Sequence, residues 1–359
     1  MSDNLTITKN NIVLYLSWLP QERLIFFCYD HLHQEIYKKS SVEMNKENII
    51  ALIFEYAETG MRANKVIQLI RKNCFSRIKS MPKKLQRVDL TGFNLSEANL
   101  REVDLSEANL SGADLSRANF IDAILIGAEL NDSILHDANL SEADLSGAKL
   151  IGADLSKTNL SKANIIGANL KGANLSEANL SNVNFIAFEF AKRNNFNELK
   201  RIDLSDANLE NANLCGAYLH NTNLRRANLT GANLSGANLS RVGLIDQLER
   251  TDLTEANLEN ANLCGAYLHN TDLRKANLTG TNLSGANLSG AGLIMVKLKE
   301  ANLSGTNLIH ASLRGADLIG VDLRQADLRQ ADLLGAKYNS DTKWPPNFDP
   351  KVRGAIQVD

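Results

Sequence analysis

The chain lacks the usual marks of a catalytic or cofactor-binding protein. It has 4 cysteines in 359 residues, none in Cys-x-x-Cys spacing, so it carries no zinc signature. There is no glycine-rich phosphate loop, no strand-to-helix nucleophile elbow and no His-Glu-x-x-His pair. Long apolar runs are missing too. The longest near the start, Ile49 to Phe54, is far short of a membrane span, and no signal peptide is visible. These absences lead us to expect a soluble, cytoplasmic, non-enzymatic protein with no cofactor, metal or small-molecule ligand.

What is present is one five-residue phrase, repeated from about Val88 to Tyr338: alanine, Asn or Asp, leucine, then two variable residues. Ala108-Asn109-Leu110-Ser111-Gly112 and Ala113-Asp114-Leu115-Ser116-Arg117 are consecutive copies. Central apolar residues recur every fifth position over Leu90–Phe185, Leu204–Leu244 and Leu248–Tyr338, giving 20, 9 and 19 units. Leu100, Leu110, Leu140, Leu214, Leu263 and Leu303 are representative core positions.

Period five suits neither ordinary element. On a helix at about 100° per residue, five steps advance roughly 140° and scatter the leucines around the circumference. On a flat strand an odd period throws successive leucines onto opposite faces. Within a unit, however, alanine and leucine are two apart, so a locally extended backbone points both the same way. The variable pair must then turn the chain before the next unit. It is often Ser-Gly, and Gly tolerates φ > 0. A coil turning once per unit, with alanine and leucine on its axis, meets all these conditions.

A single coil of this kind cannot fold alone. Ordering five residues costs roughly 5–10 kcal/mol of backbone entropy, whereas one buried leucine returns about 1.5–3 kcal/mol. Stacking adds hydrogen bonds between coils and a continuous core, so stability grows by neighbour terms. The Asn or Asp before each leucine reads as structural. Short polar side chains bond the backbone at turns, and in register they form ladders.

On these residues the segment resembles the pentapeptide-repeat proteins. The resemblance implies a right-handed, four-sided β-helix with four units per coil, hence about 12 coils and a rod of roughly 58 Å at about 4.8 Å per layer. The tail also looks like endings of that family, with Gly335-Ala336-Lys337-Tyr338 followed by Asp341-Thr342-Lys343-Trp344-Pro345-Pro346. Residues 341–359 suit a cap: Trp344 and Phe348 can cover the last coil, and the prolines cannot extend its edge.

The repeat lapses twice. Residues 186–200 carry Phe188, Phe190 and Phe196 beside Lys192 and Arg193. These five are candidate partner-binding residues, or the aromatics tuck against the barrel wall. The second lapse, at 245–248, reads as a unit one residue short, and it adjoins a duplication. Residues 203–245 and 252–294 align at an offset of 49, with 36 of 43 identical. Cys215 and Cys264 are equivalent in the two copies. Under four units per coil their offset is close to two and a half coils, which places them on different faces and argues against a disulfide. His136, His220 and His269 directly follow central leucines and are expected in solvent.

Residues 1–80 have a different texture, and 81–87 read as a linker. Apolar spacing marks helices over Ile12–Leu19, Gln21–His31, from Asn45 to a stop at Gly60, and Ala63–Lys72. Together they make a small all-α bundle with room for one core. The fold expected is therefore multidomain α+β: the bundle, then a quadrilateral β-helix over 88–340. The bundle is similar to bacterial effector-associated, death-like adaptor domains. The similarity lies in Leu19-Pro20-Gln21-Glu22-Arg23-Leu24-Ile25-Phe26-Phe27, in Asn45-Lys46-Glu47 leading into Ile49-Ile50-Ala51-Leu52-Ile53-Phe54, and in Val66-Ile67-Gln68-Leu69-Ile70-Arg71. The acidic loop expected between the first two stretches is absent from His31–Glu43. That family implies homotypic pairing that recruits an effector in conflict or defence signalling. The alternative is a helical plug sealing the first coil.

Charge separates the two parts. Residues 1–87 hold 14 Lys+Arg and 8 Asp+Glu, net +6, and residues 88–359 hold 25 and 33, net −8. Complementary charge favours association of bundle with rod. An acidic rod also raises the alternative of a DNA mimic that inhibits a topoisomerase or other nucleic-acid enzyme. Arg101, Arg117, Lys157, Lys162, Lys171, Arg225 and Arg226 interrupt that acidity. Direct nucleic-acid binding by the rod is disfavoured by its sign.

Overall fold

The computed structural model describes residues 81–183, 202–219, 222–240 and 251–358, with scattered positions between 16 and 72. Among those scattered positions, Leu24, Ile49 and Ile53 have helical backbone and are fully buried. They do not define a bundle; most of the segment expected to form one lies outside the described residues.

The rest is one parallel β-helix with four sides. Outside the two lapses the residue before each central leucine, usually Asn or Asp, bridges the residue 20 positions on, as in Asp89↔Asn109, Asn94↔Asp114, Asn99↔Asn119 and Asp104↔Ile124. Four units therefore make one coil. Columns of bridged residues run up four faces, which we number by their first members: Lys84, Asp89, Asn94 and Asn99. The fourth column has twelve layers, from Asn99 to Lys343. Bridging starts at Lys84, inside the stretch the sequence suggested as linker. Leu100, Leu110, Leu140 and Leu303 are fully buried, and Leu214 and Leu263 are 1% exposed.

Every backbone donor of the five-residue unit is satisfied, as residues 108–112 illustrate. In 108–112, Ala108 N–H closes a turn onto Leu105 O at 3.0 Å. Asn109 N–H donates down to Val88 O, and Leu110 and Gly112 N–H donate up to Glu129 O and Asn131 O. The fifth donor, Ser111 N–H, points to no carbonyl. It donates instead to Asn109 Oδ1 at 3.1 Å. This is why Asn or Asp precedes the leucine: its short side chain supplies the one acceptor the backbone omits. The last residue of each turn has positive φ, as a type II turn requires. Glycine suits it (Gly112, φ 63), yet Glu142 (φ 61) and Lys157 (φ 59) adopt it as well. The left-handed conformation costs a non-glycine residue roughly 1–2 kcal/mol, offset here by the inter-coil bond, such as Glu142 N–H to Ser161 O at 3.1 Å.

On the fourth face the asparagines also bond to one another. Asn159 Nδ2 donates to Asn139 Oδ1 at 3.3 Å, and Asn179 Nδ2 to Asn159 Oδ1 at 3.2 Å. Replacing Asn159 by Ala removes both ladder bonds and strips Ser161 N–H of its acceptor. We expect a loss of about 1–3 kcal/mol, read as a lower denaturant midpoint with an unchanged m-value.

The two lapses of the repeat have a common geometry. Bridge offsets rise from 20 to 34 at Asn169↔Asp203, fourteen residues more, and to 29 at Asn223↔Asp252, nine more. Tyr218 N–H still bonds Val183 O at 3.2 Å, and Tyr218 still bridges Asn238. Both extra segments therefore leave from the corner between the first and second faces, two coils apart. At the second lapse the ladder of the second face bridges Asn223 directly to Asp252; Leu244 and Leu248 lie outside the described residues. Two strands flank these points, β1 (Ile202–Asp203) and β2 (Thr222–Asn223), paired in parallel.

At the C-terminal end, Lys343 bridges Asp322. Trp344 then meets Tyr338 edge-on at 5.4 Å and stacks on Phe348 at 5.2 Å. The tail also extends the edge it was expected only to cover: β4 (Ile356–Gln357) pairs in parallel with β3 (Lys337–Tyr338).

Candidate interaction surface

No catalytic constellation forms among the described residues, and no group of three His, Cys, Asp or Glu could hold a metal ion. His136 shares a hydrogen bond of 2.8 Å with the Ser156 hydroxyl one layer up. The described residues contain no helix long and apolar enough to cross a membrane. Function therefore has to be sought on the outer faces.

Charged side chains pair between coils, as the 20-residue spacing dictates. Arg87 meets Glu107 at 2.8 Å, Arg117 meets Glu97 at 2.6 Å, Lys149 meets Glu129 at 2.7 Å and Arg226 meets Asp206 at 2.7 Å. Hydrogen bonds from Arg226 hold the Asp206 carboxyl below its usual range. Near the end a second pattern appears, in which an arginine after the leucine grips the Asp two residues back. Arg324–Asp322 and Arg329–Asp327 are examples, both at 2.7 Å, and each depresses its carboxyl through those hydrogen bonds. These pairs are solvent-exposed and contribute little to stability. Their larger effect is to neutralise carboxylates that would otherwise line the rod.

From about the fifth coil upward the rod has two unlike halves. The corner between the second and third faces carries Asp206, Arg226, Glu255 and Lys275 in one column. A cleft of about 220 Å³ there is lined by Arg225, Arg274, Lys275, Asp252 and Glu255, a mixture of both signs. On the opposite half the described residues of the fifth to tenth coils carry no charge; above them Asp322 and Asp327 restore it. The fourth face is asparagine in every layer from Asn99 to Asn302, and the corner leading to the first face is Ser, Cys, Asn or Gly from Ser181 to Gly305. On the first face Tyr218 and Tyr267 stand out, 52% and 53% exposed, with Asn238 bridged between them.

Cys215 and Cys264 lie on this uncharged half, in one column. The sequence placed them on different faces; the nine extra residues make their 49-residue offset two whole coils. Both are free, separated by about 9.6 Å of rise. Ser235 lies between them and donates to Cys215 Sγ at 3.4 Å. The proposed partner-binding residues Phe188, Phe190, Lys192, Arg193 and Phe196, and also His220, fall outside the described residues. The two tyrosines were missed because they share a column, with Asn238 between them, only when the chain is folded.

A four-sided stack of five-residue turns with a leucine core defines a β-helical solenoid protein. The pentapeptide-repeat model matches over residues 84–185, 202–241, 248–291 and 297–335, and the chain belongs to that family, whose fold is the right-handed quadrilateral β-helix. Among solved structures it is similar to HetL, a pentapeptide repeat protein involved in heterocyst differentiation regulation from Nostoc sp. strain PCC 7120. The identity is 36%, covering 66% of this chain and 86% of that one, with a TM-score of 0.43. Rfr23 from Cyanothece 51142 is 34% identical over 35% of this chain and 90% of its own, TM-score 0.32. QnrB1, a plasmid-mediated fluoroquinolone resistance protein, is 19% identical over 66% and 90%, TM-score 0.27. No curated protein matches the chain.

Proposed function

We propose that this protein is a non-enzymatic interaction scaffold of the cytoplasm, in which the β-helix is a rigid rod and residues 1–80 form a helical adaptor. The observation that carries the scaffold reading is the rod itself. Its core is filled with leucine and alanine, its polar residues are committed to turns and ladders, and what it offers is a long ordered surface. The adaptor reading rests on sequence alone: the death-like pattern in residues 1–80 and the contrast of +6 against −8 between the two parts. The adaptor pairs with its like or recruits an effector in a conflict or defence pathway, and Phe188, Phe190, Lys192, Arg193 and Phe196 add contacts from the side of the rod.

The test is mass against concentration by light scattering, on the full chain and on residues 81–359, with circular dichroism confirming that the rod persists. Growth beyond a dimer as concentration rises, lost on removing residues 1–80, is the expected outcome. Growth that survives the deletion defeats the adaptor. The DNA-mimic alternative is disfavoured by the inter-coil ion pairs, since Glu107, Glu97, Glu129 and Asp206 each hold a cation rather than present an unbroken acidic track. We expect micromolar protein to leave topoisomerase-catalysed supercoiling unchanged.

A further inference from the structure

We propose that residues 61–80 of one copy dock on an acid-ringed apolar patch in the third and fourth coils of the next, head to rod. The proposal rests on the adaptor reading of residues 1–80 and supplies its partner and its site.

The patch lies where the repeat gives up its own bond. Ile134 stands at the position that most units fill with Asn or Asp, so His136 N–H has no side-chain acceptor among the described residues. The fold gains nothing from this exchange: a turn bond is forgone and the isoleucine is left 45% exposed. Ile151, at the adjoining corner one layer up, is 41% exposed.

Four carboxylates surround Ile134. Asp114 and Asp154 bridge it from the layers below and above, and Asp132 and Asp137 occupy the corners on either side in its own layer. Among the described residues none of the four meets a cation, whereas Glu129 nearby holds Lys149. The first face carries a look-alike, Ile124 between Asp104 and Asp144. There, however, Asp122 is paired with Arg101 at 3.2 Å and Gln86 donates to Asp104. The third face is therefore the one whose acidity is uncompensated.

Charge selects the occupant. Residues 88–183 hold 6 Lys+Arg and 14 Asp+Glu, whereas residues 184–359 hold 19 of each, so the whole excess of −8 sits in the lower coils. The opposite excess is equally local. Residues 61–80 hold 6 Lys+Arg and no acid, interleaved with Val66, Ile67 and Ile70. Lys72, a described member of that segment, is exposed. Cations of this kind meet the four carboxylates while aliphatic side chains and lysine stems cover the two isoleucines. Within one chain the segment enters the rod beside Lys84 on the first face, on the far side from Ile134, which leaves the patch to another copy. Such a contact is heterologous and passes from copy to copy, which accounts for growth beyond a dimer.

Two variants of the full chain separate the halves of the contact. In the first, Asp132→Asn, Ile134→Asn and Asp137→Asn erase the patch. Asparagine restores the turn acceptor at 134 and tolerates the positive φ of 132 and 137, so the melting temperature should equal or exceed the parent's. In the second, Lys65→Glu, Arg71→Glu, Lys72→Glu and Arg77→Glu reverse the segment, with circular dichroism confirming the fold. Mass is then followed by light scattering. The parent should grow with concentration, and each variant alone should stay monomeric to concentrations at least about 10-fold higher. Their equimolar mixture should form a dimer and nothing larger, because one intact segment meets one intact patch. Ile124→Asn, on the opposite face, should leave growth unchanged. A parent that stays monomeric, a first variant that still grows, a mixture without the dimer, or growth lost equally with Ile124→Asn overturns the proposal. The adaptor reading fails separately, by growth that survives removal of residues 1–80.

Discussion

Leu214→Asp should cut the rod in two. Leu214 is 1% exposed in the sixth of twelve layers, with stacked leucines above and below. Truncating a buried leucine to alanine costs about 2–5 kcal/mol, and a carboxyl in the same place adds desolvation of a polar group with no partner. The sum approaches the whole stability of an ordinary domain, about 5–15 kcal/mol. In a stack where each coil touches only its neighbours, the damage is not shared evenly. The layers on either side lose their common boundary and melt as separate blocks. Calorimetry should show two transitions in place of one, and limited proteolysis should cut near the substitution while longer fragments survive. A single transition displaced by less than about 5 °C would sink the account of a continuous core.

The second large effect concerns phase. Removing residues 241–249 joins Ser240 to Arg250, so that Leu239-Ser240-Arg250-Thr251-Asp252 becomes an ordinary unit, two turn residues and all. The bridge from Asn223 to Asp252 then closes at 20 residues instead of 29. This deletion should fold with a melting temperature equal to or above that of the parent, since loop closure no longer costs entropy. Removing residues 241–250, one more, leaves a unit of four. Thr251 and Leu253, both fully buried, are then pulled out of phase with the column beneath them. Strand faces alternate with period two, so a slip of one residue turns inward side chains outward. The longer deletion should lose at least about 10 °C, or express only as aggregate. Equal behaviour of the two variants would refute the column assignment.

The repeat made much of this architecture legible. Leucine at every fifth position dictates a closed coil, and the turn, ladder and buried column follow from Ala-Asn-Leu alone. The number of sides came from the family resemblance, since nothing in five residues says how many units close a coil. Across the second lapse Val242-Gly243-Leu244 and Gln247-Leu248 keep the apolar spacing of a unit, so spacing alone counted a coil of the wrong length. Only inter-coil bonding fixes that length, through the bridge of Asn223 to Asp252. That error carried over to Cys215 and Cys264, whose shared column is visible once the nine residues are counted out. The uncharged half was hidden for the same reason. It is a property of columns, and columns need a period of 20 with both insertions placed.

The duplication has a consequence for how such a rod grows. A copied block of 49 residues advances the axis by two whole coils and returns to the starting face, as Asp203, Asn223 and Asp252 in one column attest. Lengthening by this block adds height and no rotation. Whatever the uncharged side meets would see the same pattern continued rather than wound around the axis, so a lineage could alter its reach in steps of about 10 Å and keep its aim. The spare residues at the corner are what make the step a whole number of turns in sequence as well as in space.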